Sequence, residues 1–248
     1  MTDKIDYSIN YRRWHDGSAE ELIVAAKMYE RWIGPLVRQH PTSSKVLDYG
    51  CAFGSLVHYL KQYFDDVQGV DASEEQIEVA RSHDLPVYLL PVNEFSRWSE
   101  KNTDTFDVIF LHDVLEHIPA PEQIDFMRSL SRTLKPGGTI YVKVPNANSL
   151  LASRWRYIDW THCSSFTESS LDFVLLNSGI DDIVYLNDES SITPRYWWIP
   201  RWGHRHFYVR SLFRGLWLIY LRAELGRQAD EIKTGYNLFA RAKKLGHD

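Results

Sequence analysis

Two aspartates and two glycines in the first third of the chain have the types and spacing of a ligand-binding loop. Asp48 precedes Gly50 in the stretch VLDYGCAFG, which ends at Gly54, and Asp71 closes the next apolar stretch. A carboxylate at Asp48 would repel a pyrophosphate but attract a cation. An acid at the position of Asp71 can accept hydrogen bonds from both hydroxyls of a ribose. The residues therefore predict a ligand with a ribose, a positive end and no pyrophosphate.

The elements that must position these residues alternate along the chain. Strands are predicted at 45–48, 67–70, 87–90, 106–111, 139–144 and 180–186. Helices are predicted at 19–38, 55–64, 74–83, 121–134 and 169–178. Short apolar strands alternating with helices are typical of a doubly wound, mostly parallel α/β sheet. Ligands of that architecture bind outside the carboxyl ends of the strands, which is where the loop at Gly50 lies.

S-adenosylmethionine has the predicted ribose and positive end, and three stretches support it as the cofactor. VLDYGCAFGSL, GVDASEEQIEVAR and FDVIFLHDVLEHIPAPEQIDFMRSLSRTLKPGGTIYVKVPN resemble the class I S-adenosylmethionine-dependent methyltransferases, over roughly residues 45–185. The resemblance implies a Rossmann-like, seven-stranded sheet with helices on both faces, which binds the cofactor across its first two strand ends. The sequence departs from the family at Ala52, where glycine is frequent.

The resemblance also implies roles for individual residues. Asp71 would hold the ribose, and His112, at the end of the fourth strand, would lie near the methyl donor. The methionine end would be lined by four residues: Asp48, Gly50, Cys51 and Gly54. The adenine would lie near Ala72, Ser73, Asn93 and Glu94. The N-terminal stretch YSINYRRWHDGS resembles segments that cover the pocket, so that Tyr7, Tyr11, Arg12 and Trp14 would contact cofactor or acceptor, unless they form an ordinary packed arm.

A later stretch concerns the acceptor of the methyl group. IDWTHCSSFTESSLDFVLLNSGI resembles the branch that includes ubiquinone-pathway and sugar O-methyltransferases, and Thr167 is predicted to cap a helix within it. A sugar hydroxyl is a poor nucleophile at neutral pH, so a positioned base would help. His162 is the first candidate, oriented by Asp159. His112 and Asp113 are rival candidates.

Three alternatives stay open for these residues. His162 could only close the loop or bind the acceptor, and His117 could be structural. Proximity of methyl group and nucleophile could suffice without a base. Asp113 and Glu116 lie three residues apart and could share a helix face, but such pairs are more often solvated, so that no metal is predicted.

The chain divides into three predicted parts: a helical arm at 1–41, the cofactor-binding domain at 42–190 and an extension at 191–248. Between residues 195 and 227 the extension holds seven arginines and one acid. Apolar residues from Phe207 onward follow helical spacing, with Arg210 and Arg214 elsewhere on the helix. This predicts a basic amphipathic helix that lies on a membrane surface, covers the core or contacts a second copy of the chain.

Composition sets the remaining bounds. The 248 residues are 44% hydrophobic and carry a formal net charge of −5, which argues against a general nucleic-acid-binding protein. The two cysteines fit no disulfide framework or metal spacing and indicate a reducing compartment. The N-terminus has no apolar signal-peptide core, and no apolar run is long enough to span a bilayer. We therefore expect a cytoplasmic protein, either free or at the inner face of the membrane.

The sequence as a whole predicts an O-methyltransferase that acts on a sugar hydroxyl of a bacterial-type surface polysaccharide or of its lipid-linked precursor. Two alternatives remain. The first is methylation of a lipophilic small molecule such as a quinone precursor. The second is a non-catalytic cofactor-binding partner of another enzyme.

Overall fold

The structure, a computed structural model, describes residues 15–191 and 205–246. The predicted cofactor contacts of Tyr7, Tyr11, Arg12 and Trp14 lie outside the described residues. The strands are β1 (Lys45–Tyr49), β2 (Asp66–Asp71), β3 (Val87–Leu89), β4 (Phe106–His112), β5 (Leu134–Pro145), β6 (Ile180–Leu186) and β7 (Asn237–Lys244). The α-helices are α1 (Ala19–Trp32), α2 (Gly34–Val37), α3 (Ser55–Leu60), α4 (Glu74–Ser82), α5 (Phe95–Lys101), α6 (Ala120–Thr133), α7 (Ala152–Tyr157), α8 (Glu168–Leu176) and α9 (Arg205–Leu225).

The seven strands form one sheet in the order β3-β2-β1-β4-β5-β7-β6. The first five strands pair in parallel, and β7 runs antiparallel to both β5 and β6. Val46 and Leu47 are both fully buried but belong to different cores, one on each face of the sheet. A sheet covered on both faces needs strands that are apolar in every position, and β4 shows this at Val108–Leu111. The predicted doubly wound α/β fold is confirmed.

The local sequence pattern did not predict the seventh strand, nor the helices α5 and α7. Leu238, Phe239, Ala240 and Ala242 of β7 are buried between β5 and β6. The boundary drawn at residue 190 therefore does not follow the sheet, because residues 237–244 of the extension complete it. Its basic residues hide the strand in the sequence: Arg241 and Lys243, for example, form ion pairs with Asp182 at 3.7 and 3.3 Å.

The first predicted helix is interrupted. The apolar spacing predicts one helix over 19–38, but α1 ends at Trp32 and α2 starts at Gly34. Pro35 has no backbone N–H and so cannot continue the hydrogen bonds of α1. The break lets Trp32 and Ile33 both enter the core beside the sheet.

Helix α9 presents its apolar side to solvent. Arg214 donates to Ser190 Oγ at 2.6 Å, and Trp217 Nε1 donates to the Asn148 carbonyl oxygen at 2.9 Å, so both side chains point toward the body of the protein. The opposite side consists of apolar side chains that are 52–66% exposed: Val209, Leu212, Phe213, Leu216, Ile219 and Tyr220. Arg214 therefore cannot form part of an outward basic face, as the predicted membrane-binding helix assumed. Among the described residues, no helix combines the length and the hydropathy needed to span a bilayer.

Candidate active site

The loop after β1 turns sharply over the end of β2. The amides of Gly50 and Cys51 both donate to the Val70 carbonyl oxygen, at 2.8 and 3.0 Å. Gly50 and Gly54 have φ values of +80° and +79°, a region that disfavours side chains. A Cβ at Gly50 would also collide with the Val114 side chain. The loop therefore places bare backbone at the carboxyl edge of the sheet, where a ligand can approach it closely.

Ala52 adopts the backbone conformation that the family's frequent glycine would adopt more easily. Its φ is +47°, in the left-handed region. Its amide donates to Asp71 Oδ2 at 2.9 Å, and this hydrogen bond holds the strained residue in place. The substitution noted in the sequence thus leaves the loop geometry intact at some cost in backbone strain.

Asp71 holds the loop and the start of α4 together at the end of β2. Besides the Ala52 amide, it accepts a hydrogen bond from the Ser73 amide at 2.8 Å on Oδ1. Ser73 in turn caps α4 by accepting from the Gln76 amide. Burial raises the pKa of Asp71, while its backbone hydrogen bonds oppose that shift. The carboxylate is thereby fixed at the position where the sequence predicts a ribose contact.

Asp48, near the end of β1, is a buried acid whose pKa is raised. Its side chain is only 3% exposed. Burial, with a smaller contribution from the charge of Asp71, raises its pKa to about 8. A buried carboxyl that resists ionisation is a site prepared for a cation, because a positive group would restore its charged form.

A second group of side chains lies after β4, next to the loop. Val114, which contacts Gly50, is followed by a 3₁₀ turn at Leu115–His117. The segment 159–163 folds onto this turn, with the Cys163 amide donating to the Glu116 carbonyl oxygen at 2.6 Å. The rings of His117 and His162 then meet in an edge-on contact, with centroids 4.7 Å apart.

Each histidine of this pair is oriented through Nδ1. His162 Nδ1 lies 2.8 Å from the Trp155 carbonyl oxygen, and His117 Nδ1 lies 2.8 Å from Thr161 Oγ1. The Thr161 hydroxyl donates to Asp159 Oδ1 at 2.6 Å. The partner of His162 at Nδ1 is thus a main-chain oxygen, whereas the predicted orienting acid, Asp159, acts on His117 through Thr161. Sequence reasoning missed Thr161 and Trp155.

Comparison with known proteins adds the family. A family model described as a methyltransferase domain matches residues 24–183. The chain belongs to this methyltransferase family. The predicted S-adenosylmethionine-dependent methyltransferase is thereby confirmed at the level of the domain and its cofactor.

Curated relatives of the methyltransferase match part of it. The ubiquinone biosynthesis O-methyltransferase of Aliivibrio fischeri (strain MJ11) is 35% identical over 109 residues, or 42% of this chain and 45% of that protein. Its counterpart in Bordetella avium (strain 197N) is 28% identical over 144 residues, 55% of this chain and 57% of that one. The matches thus span about half the length of these relatives.

Solved structures share the fold of the methyltransferase over nearly its whole length. An S-adenosylmethionine-dependent methyltransferase from Archaeoglobus fulgidus superposes with a TM-score of 0.64. It is 19% identical, and the match covers 96% of this chain and 100% of that chain. At this identity the likeness shows the fold alone.

The methyltransferase keeps its other predicted site residues at the same edge of the sheet. Asn93 and Glu94 are exposed in a 3₁₀ turn after β3, and Ala72 directly follows β2. Cys51 is buried in the loop, and burial raises the pKa of its thiol well above the usual range. Their cofactor contacts remain predictions, and Tyr11 lies outside the described residues.

His112 and Asp113, the rival bases, differ from the His117–His162 pair in their surroundings. His112 packs between Trp32, Phe110 and Phe239, with ring centroids 5.5–5.7 Å apart, and burial lowers its pKa well below the usual range. Asp113 has a φ of +55° and forms an ion pair with Lys143 at 2.5 Å. Both are therefore held by neighbouring side chains.

Proposed function

We propose that this methyltransferase transfers the methyl group of S-adenosylmethionine to a hydroxyl oxygen of a sugar. The acceptor oxygen forms a bond to the methyl carbon while the carbon–sulfur bond breaks. The electron pair of that bond stays on sulfur, so that S-adenosylhomocysteine leaves and the hydroxyl proton is released. The observation that carries the proposal is the His117–His162 pair beside the cofactor loop, which is the loop at Gly50–Gly54 after β1. Two residues before His162 lies Trp160, whose side chain faces outward.

His162 is the proposed group that acts on the acceptor hydroxyl. The bond from Nδ1 to the Trp155 carbonyl fixes the ring, because a carbonyl can only accept and Nδ1 must carry the proton. Nε2 then carries the lone pair of the neutral ring, so that it can take up a proton or bind an electrophile. His112, enclosed by three aromatic rings, is less suited to meet a second substrate.

Exposed aromatic side chains beside this pair support a sugar as the acceptor. Trp160 and Tyr157 are 91% and 75% exposed, unusual for such large rings. Arg156 lies over the Tyr157 ring at 5.1 Å. Flat aromatic faces can stack on the C–H faces of a sugar. The Arg156 guanidinium already donates to the His162 and Cys163 carbonyl oxygens, and its remaining N–H groups can donate to sugar hydroxyls.

A lipophilic phenol, such as a quinone precursor, is the second candidate acceptor. The curated relatives named above are ubiquinone biosynthesis O-methyltransferases, and an aromatic substrate could stack on the same exposed rings. The apolar outer side of α9 would serve either a lipophilic phenol or a lipid-linked glycan, because both reside at a membrane. The position of Trp160 and Arg156 leads us to prefer the sugar.

Methyl transfer with a labelled cofactor tests the proposal. S-adenosylmethionine with a trideuterated methyl group would be incubated with the protein and either a lipid-linked oligosaccharide fraction or a catechol-bearing lipid. We expect a labelled methyl ether on the sugar, found by mass spectrometry, and its strong reduction in His162→Ala at unchanged cofactor affinity. Label on the phenol alone would establish the second candidate. Bound cofactor with no transfer to any acceptor would indicate a non-catalytic partner instead.

A further inference from the structure

Glu116 is a buried carboxylate without the partners that such a group needs. Its side chain is 1% exposed, and neither Oε1 nor Oε2 has a hydrogen-bond partner among the described residues. Buried polar groups are nearly always paired, because an unpaired one loses its hydration without compensation. The Lys143 ammonium, whose charge acts on Glu116, pairs with Asp113 at 2.5 Å.

The two histidines described above complete a set of metal-binding side chains around Glu116. One ligand atom from each of Glu116, His117 and His162 lies within 4.8 Å of the others. Bonds of 2.0–2.1 Å to a tetrahedral ion place ligand atoms about 3.4 Å apart. The distances between ligand atoms therefore need to shorten by at most about 1.4 Å around an ion, which small side-chain rotations can provide.

The hydrogen bonds behind these side chains match those of metal-binding histidines. Ligand histidines usually donate their second N–H to a carbonyl or, directly or through another group, to a carboxylate. His162 donates to the Trp155 carbonyl, and His117 to Thr161, whose hydroxyl proton goes to Asp159. Both rings thus keep the lone pair of Nε2 free for an ion.

We propose that Glu116, His117 and His162 bind a divalent transition-metal ion such as Zn²⁺. Two imidazoles and one carboxylate are a ligand set of first-row transition metals, whereas Mg²⁺ prefers oxygen ligands and bound water. Three protein ligands leave a fourth position open, as in catalytic zinc sites. The geometry therefore revises the sequence-based expectation of no metal.

The role of the ion, unlike the site itself, rests on the proposed function. The cluster lies beside the loop after β1, because Val114, two residues before Glu116, contacts Gly50. An acceptor hydroxyl bound there would ionise more readily, since a metal lowers the pKa of a bound O–H group. Its proton would pass to water, and the metal-bound alkoxide would attack the methyl carbon. His162 would then act on the acceptor through the ion.

Metal titration of the full chain tests the site without any acceptor. Protein freed of metal with EDTA and dialysed would be titrated with Zn²⁺ by calorimetry, and with Co²⁺ while its visible absorption is recorded. We expect one ion per chain and the intense visible bands of tetrahedral Co²⁺. Glu116→Gln and His162→Ala should each weaken binding by more than the roughly 10–100-fold expected for the supporting change Thr161→Val.

Two control variants make the result specific. His206→Ala removes a histidine of α9 outside the cluster, and Cys163→Ser removes a thiol next to His117. Both should bind zinc like wild type. Absence of a Co²⁺ spectrum, or equal affinity in wild type, Glu116→Gln and His162→Ala, would overturn the site.

Cofactor affinity, measured in every variant, separates this outcome from failure of the proposed function. A folded variant that has lost zinc but still binds S-adenosylmethionine supports the metal site. Full methyl transfer by EDTA-treated wild type would overturn the proposed role of the ion.

Discussion

Replacing Asp48 by Asn should stabilise the cofactor-free protein at high pH while it damages cofactor binding. Burial raises the pKa of Asp48 to about 8, against about 3.9 for an exposed aspartate. Between these values the folded state holds a proton that the unfolded state has lost. The stabilising contribution of Asp48 is therefore fully present below about pH 4 and is lost as pH rises through about 8.

The magnitude follows from the size of the shift. One pKa unit corresponds to about 1.4 kcal/mol, so the shift of Asp48 amounts to an upper limit of about 6 kcal/mol. Local relaxation and entry of water reduce such values. We expect that, between pH 5 and 8, wild type loses at least about 2 kcal/mol relative to Asp48→Asn, which corresponds to about 4–8 °C in Tm for a chain of this size.

The assay is thermal unfolding of wild type and Asp48→Asn from pH 5 to 9. The matched control is Asp65→Asn, because Asp65 is exposed next to β2 and its substitution removes the same charge. The difference in Tm between wild type and Asp65→Asn should stay flat with pH. If the difference in Tm between wild type and Asp48→Asn is equally independent of pH, Asp48 is not a buried acid that is protonated at neutral pH.

Cofactor binding gives an independent readout of the same group. If the ammonium of S-adenosylmethionine pairs with Asp48, binding at pH 7 should release close to one proton, because the free carboxyl is mostly protonated there. Calorimetry in buffers of different ionisation enthalpy measures this release, which Asp48→Asn should abolish. Methylthioadenosine, which has no amino-acid portion, should bind without it. If wild type and Asp48→Asn release the same number of protons on binding, the ammonium of the cofactor does not pair with Asp48.

Three further outcomes are expected. Asp71→Ala should weaken S-adenosylmethionine binding by roughly 1.5–3 kcal/mol, through lost hydrogen bonds to a charged group, and calorimetry with unchanged affinity would remove Asp71 from the site. Ala52→Gly should raise the free energy of unfolding by about 0.5–1 kcal/mol in urea titrations, because glycine tolerates the φ of +47°; a loss of stability would contradict the strain. Phe213→Glu with Leu216→Glu should abolish co-sedimentation with anionic vesicles while the protein stays folded, and wild type that never sediments would argue against a membrane surface.

The cofactor half of the site was predictable because its residues are set by the sheet. Asp48 and Asp71 lie near the carboxyl ends of β1 and β2, and parallel neighbours bring such positions together in any sheet of this kind. The turn between them needs positive φ values, which Gly50 and Gly54 indicate in the sequence. Local signals were also enough for the helix cap at Thr167, where the side-chain and backbone bonds with Ser170 form a capping box.

The metal-binding cluster was not predictable, because it depends on a tertiary contact. Glu116 and His117 follow β4, whereas His162 comes from a distant segment that tertiary contacts bring to them, among them the bonds from the Cys163 and Ser164 amides to the Glu116 carbonyl oxygen. No periodicity encodes that contact. In the sequence, the candidate metal-binding pair was Asp113 with Glu116, but in the structure Asp113 forms an ion pair with Lys143.

Helix α9 shows why an amphipathic pattern leaves the outward face undetermined. Its spacing separates an apolar side from one that carries Arg214 and Trp217, and a basic side usually faces water. In this chain the polar side has specific acceptors. The buried Ser190 hydroxyl, which donates to Asp188, accepts a hydrogen bond from the Arg214 guanidinium, and the Asn148 carbonyl oxygen accepts one from the indole N–H of Trp217. Long side chains that find such partners can turn a charged face inward. The exposed apolar side is therefore the surface to test for contact with a membrane, and salt should affect that contact less than it would affect one made through Arg214.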